Sequence, residues 1–226
     1  AVTVPSTGAA GAMISVNDST KNQGAGAATP SYTGFYLSVN STVSADDAFI
    51  GSRLVGALVA GGTSTISTPL QIPADTQPGS YYVIGRADWN SSLAETAETN
   101  NDRFSGLIRI GGDLVVSALT ASAAAMLNGP ISVTDSTTNQ GLAPVSDSTT
   151  AFYLSLNSTF DATDQLVGSR GIDPLAASAT STATTNFVVP AEIGAGTYYL
   201  IAVADAAGVV AESIENNNTR ASSTVR

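Results

Sequence analysis

Alternating apolar and polar residues recur in short runs along the whole chain and predict β-strands. In the segment 81–88, every second residue from Tyr81 to Ala87 falls on one face and the residues between them fall on the other, a period of two that is typical of a half-buried strand. The Ala-rich stretch 121–125 is short and lacks caps, so we predict a connection there rather than a helix. In the second half of the chain, seven segments carry the strand signal: 114–119, 131–138, 150–156, 165–172, 180–189, 197–205 and 219–225.

An internal repeat predicts the domain organisation. A shift of 117 positions aligns residues 14–103 with residues 131–220 without a gap, and 43 of these 90 positions are identical. A repeat of about 115 residues has the size of an independently folded domain. We therefore predict two domains, 1–111 and 112–226, joined near Gly111 and Gly112. The strand count and spacing predict an all-β fold of two tandem immunoglobulin/fibronectin-III-like antiparallel β-sandwiches.

The two copies differ at their first strand. The second copy opens with an apolar strand signal at 113–119, whereas the first copy begins at Ala1, which aligns with Ala118. We expect the first domain to lack most of its first strand. Either the chain was cut from a longer array, or another molecule supplies that strand.

Composition excludes several classes of function. The chain has 226 residues with no His and no Cys, so it has no Ser–His or Cys–His nucleophile pair, no zinc site of the usual ligand types and no disulfide. A net charge of −10 argues against nucleic acid as a partner. No apolar run approaches the roughly 20 residues of a membrane span, so we expect no membrane insertion. The charge-poor composition suits an extracellular or cell-surface prokaryotic protein.

The chain resembles the CARDB family of cell-adhesion-related domains in both of its copies. The marks are the opening at 113–116, the Asn-Gln-Gly turns at 22–24 and 139–141, the Phe-Tyr-Leu-Ser strands at 35–38 and 152–155, and the closing Asn-rich segments at 95–101 and 212–218. The resemblance implies a fibronectin-III-like sandwich that serves as a tandem module in extracellular bacterial and archaeal proteins. It implies no catalysis.

Two acid-containing loops are candidate cation sites. The loop after each Phe-Tyr-Leu-Ser strand offers several side-chain oxygens, and Ca²⁺ takes six to eight oxygen ligands. The alternative is a polar turn in which these side chains satisfy local backbone groups. The candidate ligands are Asn40, Asp46 and Asp47 in the first copy and Asn157, Asp161 and Asp164 in the second.

A second candidate lies before the last strand of each copy. Glu95 and Glu98 in the first copy match Glu212 and Glu215 in the second, and these acids could hold a hard cation. The alternative is that they and their Asn neighbours stabilise an irregular segment. Paired carboxylates also occur in glycosidases, but nothing in the sequence indicates a deep cleft, so we predict no enzyme activity.

The aromatic residues allow two interpretations, ligand binding or packing. The pairs Tyr81-Tyr82 and Tyr198-Tyr199 form either a sugar-binding platform or core contacts with a tyrosine strap. Trp89, whose counterpart is Ala206, makes a domain-specific contact or covers local apolar surface.

Together, these observations predict a non-enzymatic extracellular module, acting as a spacer or self-assembling subunit of a cell-surface or filamentous structure. Its partners are expected to be protein, by self-association or between neighbouring repeats, with a surface glycan as another candidate. Strand addition at the incomplete first domain would be one route of assembly. The alternatives are a Ca²⁺-dependent adhesin fragment that binds a carbohydrate or protein receptor, and an accessory module of a secreted hydrolase.

Overall fold

The computed structural model describes residues 1–226 and confirms the all-β class. Its contacts divide the chain into two compact units, Ala1–Gly111 (unit 1) and Gly112–Arg226 (unit 2). Apart from strands, the chain forms only one short 3-10 helix, Ala191–Ile193. No helix is long and apolar enough to cross a membrane.

Unit 1 consists of two sheets. One has the order β1-β3-β6; the other has the order β2-β9-β7-β4-β5, with β8 also pairing with β7. The strands are β1 (Val2–Thr3), β2 (Thr7–Gly8), β3 (Met13–Lys21), β4 (Ser31–Ser38), β5 (Ala48–Val55), β6 (Thr63–Gln71), β7 (Gly79–Ala87), β8 (Asp102–Phe104) and β9 (Ile108–Ile110).

Unit 2 repeats this arrangement with orders β10-β11-β14 and β13-β12-β15-β16. All pairings within it are antiparallel. The seven strands coincide with the seven segments expected from sequence, with bounds that differ by at most two residues: β10 (Leu114–Ala121), β11 (Pro130–Asn139), β12 (Ser148–Ser155), β13 (Gln165–Ile172), β14 (Thr180–Val188), β15 (Tyr198–Val203) and β16 (Thr219–Val225).

Each unit has its own apolar core between its sheets. Phe35 on β4 and Phe152 on β12 are fully buried and occupy matching positions in the two cores. The alternating pattern explains this burial, because inward residues such as Ile14 and Val16 on β3 are buried while their neighbours are exposed. The sandwich therefore follows from the period-two pattern of the sequence.

Tyr81 and Tyr198 combine the two roles that the sequence divided between neighbouring residues. Both rings pack against the core of their unit. The Tyr81 hydroxyl donates to the Gln77 carbonyl at 2.8 Å, and the Tyr198 hydroxyl donates to the Ile193 carbonyl. Burial raises the pKa of Tyr81.

The first strands of the two units differ in length. In unit 1, β1 pairs Val2 with Asp18; in unit 2, the matching pair is Leu119 with Asp135, and β10 continues back along β11 to Leu114. Beyond the Ala1–Ser19 hydrogen bonds, the end of β3 therefore has no neighbour on this side. The edge of the sheet that β10 covers in unit 2 is open in unit 1.

Candidate functional site

The open edge forms one wall of a groove of about 870 Å³ in unit 1. The groove is lined by residues 18–29, by Gly85 and Ala87 on β7, and by the turn residues 93–97, 100 and 101. We refer to it as the unit 1 groove. The apolar residues of its lining include Ala28, Leu58 and Leu93.

In unit 2 the matching space is filled by the start of β10. Leu114 is fully buried and Val116 is 4% exposed, and both belong to the unit 2 core. Leu175 and Val210, which pack in the same core, are buried as well. Their counterparts in unit 1, Leu58 and Leu93, are only half-buried. The unit 1 groove thus corresponds to the space that the start of β10 fills in unit 2.

A glutamate receives the backbone of the filling strand. The Leu114 N–H donates to Glu212 Oε2 at 2.5 Å, and Asn218 Nδ2 donates to Glu212 Oε1 at 2.8 Å. Unit 1 keeps the second of these bonds, because Asn101 Nδ2 donates to Glu95 Oε2 at 2.6 Å. No donor reaches the other oxygen of Glu95, which is exposed whereas Glu212 is buried.

Three side chains in unit 2 bind the residue that precedes Leu114. The Asp113 carboxylate accepts from Gln140 Nε2 at 2.9 Å and from Asn217 Nδ2 at 2.9 Å. The Asp113 N–H donates to Asn139 Oδ1 at 3.1 Å. The Gln140 N–H also donates to the Asp113 carbonyl at 2.7 Å. Side chain and backbone of this aspartate are therefore both recognised.

The same residue types are present in unit 1. They are Asn22, Gln23 and Asn100, which match Asn139, Gln140 and Asn217. Asn22 is held in the same way as Asn139: its Nδ2 donates to the Gly26 carbonyl at 2.7 Å, and its Oδ1 accepts from the Gly24 N–H at 2.9 Å. The Gln23 N–H has no acceptor in unit 1, whereas that of Gln140 is bonded to Asp113.

Burial by β10 changes the acid–base chemistry of Glu212. Removal from solvent raises its pKa to about 7, against the Leu114 and Asn218 hydrogen bonds, which favour the carboxylate. Glu215 and Asp113 add a smaller electrostatic contribution in the raising direction. The protonation of Glu212 is therefore coupled to its burial in unit 2.

The first predicted cation loops form tight turns with the same hydrogen bonds in each copy. Asn40 Oδ1 accepts the Thr42 N–H, and Asp47 Oδ2 accepts the Ser44 N–H at 2.7 Å. Asn157 and Asp164 do the same for the N–H groups of Thr159 and Asp161. Hydrogen bonds from Thr163 lower the pKa of Asp161. Asp46 is exposed.

The second predicted cation site is also engaged in hydrogen bonds. Glu98 accepts the Glu95 N–H at 2.8 Å, and Glu215 accepts the Glu212 N–H at the same distance. Nowhere in the structure do three or more acids gather as a group that could hold a metal ion. Cation binding at either kind of loop stays a prediction from sequence.

Sequence reasoning missed one buried ion pair in each unit. Arg53 on β5 binds Asp18 on β3 through two bonds of 2.6 Å, which link the two sheets of unit 1. Arg170 and Asp135 form the matching pair in unit 2 at 2.7 and 2.8 Å. The Gly-Ser-Arg segments repeated at 51–53 and 168–170 mark these arginines in the sequence. They do not indicate that each arginine pairs with an aspartate 35 residues earlier.

The remaining buried aspartates cap turns. Asp88 accepts the N–H groups of Ser92 and Leu93. Asp205 accepts those of Val209 and Val210. Both residues have positive φ, 45° and 41°, which Asp tolerates better than most residues. Both carboxylates are engaged by N–H groups of their own turns, and Asp88 also lines the unit 1 groove.

An aromatic cluster covers part of the outer face of unit 1. The Phe49 ring lies 4.7 Å from that of Trp89 and 5.4 Å from that of Tyr36. Trp89 also covers Gly34, where an added Cβ would lie 2.7 Å from its Cγ. In unit 2 the counterparts of Trp89 and Gly34 are Ala206 and Ala151. The contact between Trp89 and Gly34 is therefore specific to unit 1.

Comparison with known proteins identifies the family of both units. The CARDB family model matches residues 2–104 and 111–222. Among curated proteins, none matches the chain. The solved structures that are similar include a CARDB domain, a domain of a putative cell surface protein and one larger enzyme.

The first of these, a CARDB domain from Pyrococcus furiosus described as a complex with di-metal ions, is 20% identical to this chain. It covers 51% of this chain and 94% of its own, with a TM-score of 0.39. A domain of a putative cell surface protein from Methanosarcina acetivorans is also 20% identical, covering 51% of this chain and 90% of its own, with a TM-score of 0.37.

The third is red sea bream transglutaminase, which is 12% identical with a TM-score of 0.50. The match spans all of this chain but 31% of that enzyme. This similarity concerns the fold of the sandwiches alone.

Proposed function

This chain belongs to the CARDB family, a family of cell-adhesion-related domains, and we propose that it is a non-catalytic structural module of a prokaryotic cell surface or filament. Each unit serves as a β-sandwich spacer or assembly unit. Protein is the expected partner, through self-association or through neighbouring repeats.

The observation that carries this proposal is the structural use of the buried acids in both units. Asp18 and Asp135 pair with arginines, and Asp88 and Asp205 cap turns. A general acid or nucleophile needs an oxygen that is free to reach substrate, whereas both oxygens of each of these four carboxylates accept internal hydrogen bonds. Arrangements repeated in two copies and committed to internal bonds support a structural or connecting role instead of chemistry.

Immunogold electron microscopy of cells that produce the protein tests this role. Antibody raised against the chain should label the outer surface or filaments that extend from it. Label confined to the cell interior would contradict the proposal. An enzyme assay on polysaccharide and peptide substrates is the second arm: saturable turnover by the purified chain would also count against it.

One observation favours a second candidate, an adhesin that binds a carbohydrate receptor. Phe49, Trp89 and Phe104 are exposed on unit 1 by 45%, 37% and 54%, and their unit 2 counterparts, Leu166, Ala206 and Ala221, are not aromatic. Exposed aromatic side chains offer apolar faces with defined geometry to a ligand.

A glycan array separates this candidate from the first. An adhesin should bind a specific glycan class, and the exposed-face variant Phe104→Ala should lose that binding while its melting temperature is unchanged. Absence of any specific glycan signal would remove the candidate.

A further inference from the structure

We propose that unit 2 associates with a second copy of this chain through the free edge of β14, so that the two β14 strands pair antiparallel and join their sheets. Such a dimer is one concrete form of the self-association proposed above, and the inference rests on that role. We refer to the backbone groups of Thr180–Val188 that point away from β11 as the β14 edge.

The β14 edge carries a row of backbone groups without a strand partner. β14 lies at the end of the sheet order β10-β11-β14 and pairs with β11 alone. At the two ends of this pairing, the Asn139 N–H donates to the Ala179 carbonyl and the Val189 N–H donates to the Gly129 carbonyl. Because backbone groups alternate in direction along an antiparallel strand, the odd-numbered residues of β14 face β11 and the even-numbered residues face outward. The outward N–H and C=O groups include those of Thr182, Thr184, Asn186 and Val188.

The other edge strands of unit 2 lack the regularity of β14. The pairing of β10, of β13 and of β16 with the neighbouring strand contains a register shift in each case, and β16 also carries Arg220. β14 pairs with β11 over nine residues without a shift, and it contains no charged residue and no proline. Bulges, charges and prolines are features that keep edge strands from pairing with another chain. β14 is therefore the edge of unit 2 that is open to a partner.

The matching strand of unit 1 is blocked by a proline. β6 aligns with β14, and Pro69 stands where unit 2 has Asn186. The Ile72 N–H donates to the Ala12 carbonyl across the pairing of β3 with β6, so the odd-numbered residues of β6 face outward, Pro69 among them. A proline at an outward position removes a donor from the edge and no hydrogen bond from the sheet. The edge is thus protected in unit 1 and open in unit 2.

A second copy of β14 is the partner that this edge fits. Two identical strands without charge bring no like charges together, although the chain has a net charge of −10. Antiparallel pairing centred on Thr184 would use the whole strand and would place Thr182 beside Asn186 of the second copy. A symmetric contact of this kind closes on itself and gives a dimer.

The exposed threonines of β14 are suited to this pairing because they already pair across β11. Thr184 Oγ1 lies 2.7 Å from Thr134 Oγ1, and Thr182 Oγ1 lies 2.8 Å from Ser136 Oγ. A hydroxyl group has one donor and two acceptor lone pairs, so each threonine can form a further bond on its other side. The row of hydroxyl pairs would continue across the two-fold axis into the second copy.

Sedimentation velocity of the full chain and of Asn186→Pro tests the proposal. The parent chain should form a dimer whose fraction grows with concentration. Asn186→Pro places the proline of unit 1 at the same position of unit 2, so it removes one outward N–H from each subunit. It should raise the dissociation constant of the dimer at least about tenfold with little change in melting temperature. Asn186→Ala is the matched control, because it keeps the N–H, and it should change the dissociation constant far less.

A cross-link locates the interface without a proline. The chain has no Cys, so Thr184→Cys introduces a single thiol that faces its own copy in the proposed dimer. Opposite residues of a hydrogen-bonded antiparallel pair have Cα atoms about 5.5 Å apart, which a disulfide can span. Mild oxidation should convert Thr184→Cys to a covalent dimer much faster than Ser67→Cys, which has its thiol at the equivalent position of β6.

Two results would overturn the proposal. One is a folded parent chain that sediments as a monomer up to about 1 mM. The other is a dimer with the same dissociation constant in the parent chain and in Asn186→Pro, since association would then use another surface. Both results would leave the structural role at the cell surface intact, because immunogold labelling tests location alone. Label in the cell interior would contradict that role and leave the dimer in place.

Discussion

Gly34 and Trp89 share one site on the outer face of unit 1, as Ala151 and Ala206 do in unit 2. The backbone is the same in both copies: the Trp89 N–H donates to the Tyr32 carbonyl and the Ala206 N–H to the Thr149 carbonyl. The difference is that a Cβ on residue 34 would lie 2.7 Å from the indole. Gly34 is therefore required by Trp89 and not by the backbone.

Substitution of this glycine tests the packing. Gly34→Ala should destabilise unit 1 by about 1–3 kcal/mol, because the indole must shift. Gly34→Ala combined with Trp89→Ala should be less destabilised than Gly34→Ala alone, since it reproduces the pair of unit 2. Urea unfolding followed by circular dichroism measures both. Gly56→Ala, where an added Cβ meets nothing within 4 Å, is the control and should change little.

Loss of the buried Arg53–Asp18 pair should destabilise unit 1 more than the Gly34 substitution does. Arg53→Met leaves the Asp18 carboxylate, 2% exposed, without its cation, so unit 1 should lose about 3–5 kcal/mol. Addition of Asp18→Leu should restore most of this loss, because no unpaired charge then remains. Trp89 fluorescence follows unit 1, since it is the sole tryptophan.

The exposed Arg86–Asp102 pair provides the comparison. Its side chains are 36% and 39% exposed, so Arg86→Met should cost no more than about 1 kcal/mol. Equal losses for Arg53→Met and Arg86→Met would show that the buried pair has no special role in joining the sheets.

At the scale of elements, β10 makes the stability of unit 2 depend on pH. The pKa of Glu212 is about 7 in the folded unit, against an ordinary value of 4.5. Between these values the folded carboxyl holds a proton that the unfolded chain has released. The free energy of unfolding of unit 2 should therefore fall as pH rises through this window. Partial solvent screening limits the fall to on the order of 2 kcal/mol.

Calorimetry of the full chain at several pH values measures this fall. Glu212→Gln keeps an acceptor for the Leu114 N–H but does not titrate, so it should remove the dependence. Glu95→Gln is the matched control, because Glu95 occupies the equivalent position and is exposed. An unchanged pH dependence in Glu212→Gln would assign the effect to another group.

The cation loops are the second element with a direct test. Calorimetric titration of chelator-treated chain with Ca²⁺ should release or absorb heat and raise the melting temperature if the prediction from sequence is right. Asp161→Asn should then abolish the unit 2 contribution. Absence of both heat and stabilisation would leave these loops as turns held by Asn40, Asn157 and their neighbours.

For the whole molecule, the sequence predicted the architecture better than the site. The 117-residue shift and the period-two alternation led to the all-β sandwiches, because both depend on local pattern. Burial of Glu212 and its contact with Leu114 join residues 98 positions apart, which no local pattern contains. Glu212 and the other loop acids were predicted as cation ligands because a sequence shows which residues are acidic. It does not show which N–H groups will donate to them in the fold.

The most direct measurement of the central claim is amide hydrogen exchange by NMR on the full chain. The amides of Leu114 and Gln140, bonded to Glu212 and to the Asp113 carbonyl, should exchange slowly in the folded chain. Fast exchange of both amides would contradict the claim that the buried acids of unit 2 are committed to internal hydrogen bonds.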